Sequence, residues 1–238
     1  MDENNPYTTP SVNVTPTPTN SDAGAVNSPY GPMQNTKALS VWVRVILAIQ
    51  LLATLLIGLV ALRSALVASA GNDPFWRGEE INPLGLADIG LSLFFFISYI
   101  PTIVLFCIWT NKSMKNAWAM RQNPYQTLMT PGWAVGYYFI PFLLLWKPFQ
   151  GMREIWEVSF RNQKSLGLLR WWWGFWLLDN FAGNISFRLP TDSLEDLILS
   201  GFFDASTTLF SLAGGVLLFI IVGKVTKRQM ESYKRRSS

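Results

Sequence analysis

The chain has 238 residues, half of them hydrophobic and only 14% charged, with 14% aromatic residues including 11 Trp. Soluble domains carry about 25% charged residues, so this balance points to a membrane chain before any window is read. With no histidine and the single cysteine Cys107, a Ser-His-Asp triad, a His-ligated metal, an imidazole pH sensor and an intramolecular disulfide are excluded. The net charge of +4 would suggest a nucleic-acid partner only if the basic residues formed a patch on a soluble face. They follow the loops of a membrane chain instead, so no nucleic acid is expected.

Residues 1–38 hold six prolines and many Thr, Ser and Asn. The run TPTPT favours extended polyproline geometry, and nothing here could bury a core, so the stretch reads as a disordered tail. It lacks the basic-then-apolar pattern of a signal peptide. Asn5-Pro6-Tyr7 and Ser28-Pro29-Tyr30 read as linker or as short partner motifs. A membrane domain then occupies 39–226, with apolar segments at 41–62, 89–109, 131–146, 171–187 and 205–222, followed by a basic tail over 227–238. A hydrocarbon core of ~30 Å takes about 20 helical residues. The first, second and last segments meet this. Segment 171–187 meets it at the lower limit, helped by flanking leucines and the Trp171-Trp172-Trp173 belt. Pro131–Trp146 has 16 residues, roughly 24 Å of helix, and falls short.

Charge decides whether that short segment crosses. Lys112, Lys115 and Arg121 mark one loop as cytoplasmic, and Lys224, Lys227, Arg228, Lys234, Arg235 and Arg236 do the same for the C-terminus. Asp73, Glu79, Glu80 and Asp88 mark one external loop, and Asp192, Glu195, Asp196 and Asp204 another. A crossing at 131–146 would put Lys147, Arg153, Arg161, Lys164 and Arg170 outside, against the positive-inside rule. The expected fold is therefore an all-α integral membrane bundle of four spans with both termini cytoplasmic. In it, 131–146 is re-entrant or interfacial. Thr130 should cap a helix starting at Pro131, Pro141 should break it, and Lys147 before Pro148 disfavours helix. Beyond lies an amphipathic surface helix over 149–162. Phe149, Met152, Ile155, Trp156 and Phe160 form its apolar side, and Arg153, Glu154, Glu157 and Arg161 its polar side. Glu157 and Arg161 are placed for an i,i+4 pair.

These marks resemble a family. Trp109 with Asn111, Asn116-Ala117, the run from Pro131-Gly132-Trp133 to Ile140-Pro141, Pro148, and Met152 with Glu154-Ile155-Trp156 are similar to the bacterial multi-span membrane proteins grouped as a domain of unknown function. The likeness covers roughly residues 40–225. It implies a bacterial cytoplasmic-membrane protein and supplies no catalytic residues. Lys147 departs from the pattern, where a less charged residue is expected.

Asp179 lies near the middle of the fourth apolar segment, where an Asp costs ~2.5–3.5 kcal/mol on insertion scales and is a functional candidate by default. Asn180, Asn184 and Lys147 complete a candidate intramembrane polar site. Its uses are a proton or cation site or a polar substrate pocket. The alternative is a structural carboxylate bonded to Gln50, Thr54 or Lys147. Gln50, Thr54 and Gly58 on the first span, and Thr207, Ser211 and Gly215 on the last, form small or polar stripes read as helix-packing seams. Pro101 should kink the second span, with Ser98 bonding a carbonyl that it frees. Gly214-Gly215 is no phosphate loop, because no Lys-Ser/Thr follows. No cofactor or metal is called for. The function expected is a non-enzymatic accessory or scaffold protein. Its partners are the lipid bilayer, anionic lipid under the C-terminal tail, and a homo-oligomer or membrane-protein partner. The alternative is a small oligomeric transporter or channel using Asp179.

Overall fold

In lipid a backbone must satisfy its own polar groups, and the long apolar runs accordingly fold as helices. The computed structural model describes residues 28–74, 76–77, 80–81, 83–123, 125–161, 165–190 and 192–237. The expectations for residues 1–27, Glu79 and Lys164 lie outside the described residues. In chain order come α1 (Lys37–Ser69), a two-residue antiparallel pair (Trp76–Arg77 with Glu80–Ile81), α2 (Pro83–Met120), α3 (Pro131–Gly136), α4 (Lys147–Phe160), α5 (Gly167–Ser186) and α6 (Leu194–Ser237). Among these, α1, α2 and α6 are long and apolar enough to cross a membrane. α5 has 20 residues, about 30 Å. Four tryptophans, Arg170, Asp179 and two asparagines lower its hydropathy, and it is not one of the three.

α6 is the shared neighbour. It packs most extensively on α1 and next on α5, while α2 packs on α1. Residue pairs give the directions. Gly58 meets Thr208 and Leu51 meets Gly215, so α1 and α6 run antiparallel. Asp179 bonds Ser211 and Ser186 bonds Asp204, so α5 and α6 are antiparallel too. Trp109 bonds Thr226 and Asn116 bonds Gln229, so α2 and α6 run the same way. Lys37, Arg44, Lys112, Arg170 and Lys224 therefore gather at one end of the bundle, the basic end. α2 finishes there and α5 starts there, so the stretch through α3 and α4 leaves and returns at a single end.

The α1–α6 seam steps by seven along α1 and by seven, seven and eight along α6, rather than by the four expected from the stripes. Ala65, Gly58, Leu51 and Arg44 face Gly201, Thr208, Gly215 and Gly223 in turn, as in left-handed helix packing. A Cβ on Gly58 would lie 2.5 Å from Thr208 Cγ2, and one on Gly215 would lie 2.6 Å from Leu51 Cδ2. Gly58 and Gly215 are thus seam residues. The other stripe members have different uses. Thr54 and Thr207 donate to carbonyls of their own helices, Gln50 and Asp204 respectively. Gln50 is buried between α1 and α2, where it accepts from Ser98 Oγ at 2.7 Å. The same hydroxyl shares its proton with the Phe95 carbonyl at 3.0 Å, not with the Ile97 carbonyl that Pro101 leaves without its N–H. Gly214, beside Gly215, faces the Phe175 Cβ of α5. The two glycines let α6 approach a different helix on each side.

The third apolar segment is broken as its prolines demand. Thr130 caps α3 by accepting from the Trp133 N–H, with Pro131 at the helix start. A 3-10 turn over Tyr137–Phe139 follows, then Phe142 in the left-handed region (φ 64) and a second 3-10 turn over Leu143–Leu145. Phe139 and Phe142 project from this tip, the latter 77% exposed. α4 starts at Lys147 rather than after it, because Pro148 falls in the first turn, where its missing N–H costs nothing.

Candidate functional site

Two polar constellations stand out, one among the apolar stretches of α1, α2, α5 and α6, which together form the apolar slab of the bundle, and one beyond the basic end of that slab. In the slab, Asp179 of α5 accepts from Ser211 Oγ of α6, and Tyr99 of α2 lies within electrostatic range of the same carboxylate. The other members expected beside Asp179 are elsewhere. Asn180 and Asn184 are exposed on the outer face of α5 and donate back to the Trp176 and Asn180 carbonyls. Lys147 sits at the start of α4 with Nζ 5.7 Å from the centre of the Tyr137 ring, within cation–π range. Gln50 and Thr54 serve the α1–α2 contact and their own helix. The slab site is therefore a single Asp–Ser bridge joining two helices.

At the basic end, α2 and α6 continue past the slab, and α4 joins them in a layer packed like a soluble core. Trp109, Met114, Ile155 and Val225 are fully buried, and Trp156 is nearly so. The apolar side of α4 faces this core instead of a membrane surface. Its polar side also differs from expectation. Arg161 ends the helix in the left-handed region (φ 50), outside the helical geometry that an i,i+4 pair needs. Glu157 pairs with Arg153 instead, at 3.6 Å.

A buried amide network organises the layer. Asn116 accepts from the Gln34 N–H at 2.7 Å, donates to the Gln34 carbonyl at 3.0 Å and donates to Gln229 Oε1 at 3.2 Å. Gln229 in turn donates to the Ser113 carbonyl and to Ser159 Oγ. Asn116 and Gln229 are fully buried, so each partner replaces a water that cannot enter. Tyr30 meets the Trp118 ring edge-on at 5.3 Å. Residues 28–36, the described part of the expected tail, are thus held against the bundle. Sequence reasoning took Asn116 only as a mark of resemblance and passed over Gln229 and Ser159. One signal was available. Ser159 continues the apolar spacing of Met152, Ile155 and Trp156, a hydroxyl on a face otherwise bound for the core.

The hairpin is fastened to the layer by side chains reading its backbone. Asn111 donates to the Pro131 carbonyl, Trp118 to the Met129 carbonyl and Trp173 to the Leu145 carbonyl. Glu154 accepts from the Met129 N–H at 2.6 Å. Burial pushes the Glu154 carboxyl above its usual range. The Met129 N–H, Arg153 and Lys147 pull the other way, and Glu157 adds to the rise. Among the described residues no group of three or more His, Cys, Asp or Glu side chains is placed to hold a metal.

No curated protein and no solved structure matches the chain. A family described as a domain of unknown function, DUF4328, matches residues 86–227, from the start of α2 to the basic part of α6. α1, which the resemblance read from the sequence had included, lies before the matched stretch. The chain belongs to the DUF4328 family.

Proposed function

We propose that the chain is a bacterial inner-membrane protein with four spans and both termini cytoplasmic, acting without catalysis as an accessory or scaffold protein. The observation that carries this reading is the layer at the basic end. Its core, its amide network and its fastened hairpin make a folded platform beyond the slab, with the root of the tail docked on it by Asn116. α5 counts as the fourth span because it runs alongside α6 from the Arg170 level to the Asp204 level. The tip at Phe139 and Phe142 then rests in the interface, where exposed aromatic rings are favoured. Positive-inside orientation puts the platform in the cytoplasm, where it receives partners.

Cysteines placed at Asn72 and at Ser165 in a Cys107→Ala background test the topology. An impermeant maleimide should label Asn72 in intact cells and Ser165 only after lysis. Labelling of both in intact cells removes the four-span arrangement. The alternative, an oligomeric transporter or channel, is favoured by one feature, the Asp179 carboxylate inside the slab. Reconstituted protein showing Asp179-dependent proton or cation flux would replace the platform reading with that one.

A further inference from the structure

At the far basic end, the last turns of α2, α4 and α6 converge on an open, shallow pocket of about 210 Å³ lined by Met120, Ser232 and the exposed Arg161, Arg235 and Arg236. Its volume is below the ~300–1,000 Å³ of sites for drug-sized ligands, so it suits one small group. Arginine forks suit phosphate oxygens, and Ser232, whose hydroxyl makes only a long 3.4 Å bond to the Arg228 carbonyl, can turn to donate as well. No carboxylate pairs with Arg161, Arg235 or Arg236 among the described residues, since Glu231 is taken by Arg228 at 3.1 Å. Part of this positive charge serves the helix ends, and Arg235 Nε donates to the Glu231 carbonyl. Three converging C-termini bring roughly half a negative charge each, which three full charges exceed. Arg161 supplies a second pointer. It holds the left-handed position closing α4 (φ 50), which glycine would fill without strain.

We propose that this pocket binds a phosphate group, carried by a water-soluble molecule. Position decides against a lipid headgroup. Arg44, Arg170 and Lys224 and the exposed Trp171 mark the slab edge near Val222 of α6. Arg235 lies 13 residues beyond it, ~20 Å along the helix and still ~15 Å at a steep tilt. The headgroup layer is only about 5–8 Å thick. The proposal goes beyond the platform reading and stands without it, because neither the orientation nor the number of spans enters its test.

The test is calorimetric titration of the full chain with inorganic phosphate, in nanodiscs of neutral phosphatidylcholine at constant ionic strength against chloride. Saturable binding is expected, weakened at least tenfold by Arg161→Gly and by Arg235→Gln. Arg161→Gly keeps the helix end that glycine favours, and an unchanged melting temperature will show that the fold is intact. Absence of saturable binding overturns the proposal, as does binding that neither substitution weakens. A parallel arm compares melting temperatures in phosphatidylglycerol nanodiscs without phosphate. If Arg161 matters only there, the phosphate belongs to lipid and the soluble ligand is rejected.

Discussion

Asn116 reads the backbone of Gln34 from both sides, accepting from its N–H at 2.7 Å and donating to its carbonyl at 3.0 Å. One side chain thereby does what a neighbouring strand would do, and the root of the N-terminal tail is held on α2. In Asn116→Asp the carboxylate keeps the acceptor but faces the Gln34 and Gln229 oxygens without a donor. Each buried group so orphaned costs about 1–3 kcal/mol. The variant should lose roughly 2–6 kcal/mol of stability on that basis, and limited proteolysis should cut within 28–36, where the parent chain resists.

Gly58 is the tightest point of the α1–α6 seam. Gly58→Ala places a methyl against the branched, stiff Thr208 side chain and should cost about 1–3 kcal/mol, as overpacking does. Gly90→Ala is the control, because nothing lies within 4 Å of a Cβ there. It should be neutral, or stabilise by up to about 1 kcal/mol through helix propensity. Thermal unfolding in one detergent separates the two.

The Asp179–Ser211 bridge predicts opposite outcomes for its two ends. Asp179→Asn removes a charge from the slab and keeps an oxygen for Ser211, so the melting temperature should hold or rise. Ser211→Ala strips the carboxylate of this donor and should lower it. Equal losses from both would mean that the ionised carboxylate itself holds the helices together.

Glu154 gives the fold a pH slope. A carboxyl whose folded pKa lies above the unfolded value, 4.5, binds its proton more tightly when folded. Stability from this group is therefore greatest at low pH and falls as pH rises from 4.5 through the raised value. Glu154→Gln keeps an acceptor for Met129 and cannot ionise. Its melting temperature should exceed that of the parent chain at pH ~7, and the gap should close toward acid pH.

Much of the architecture is legible in the residues. Apolar runs near the hydrocarbon thickness predict α1, α2 and α6, and the prolines predict the broken segment with its Thr130 cap. The polar site is where reading by spacing misleads. Asn180 and Asn184 share a face with each other, but that face looks outward, and each amide is satisfied by its own helix. Ser211, grouped with the packing stripe, is the partner Asp179 uses. Periodicity identifies residues that share a face without saying which neighbour the face meets.

By itself the sequence determined the helices, the apolar slab and the asymmetry of charge, because these follow from local hydropathy, proline geometry and the cost of burying charge in lipid. Only the tertiary structure decided that α4 is core rather than a surface helix, that the seam steps by seven and once by eight, and that Asn116, Gln229 and Ser159 form one network. Asn116 and Gln229 are 113 residues apart, and no local rule links them. What joins them is the shared direction of α2 and α6, which the packing of the whole bundle sets.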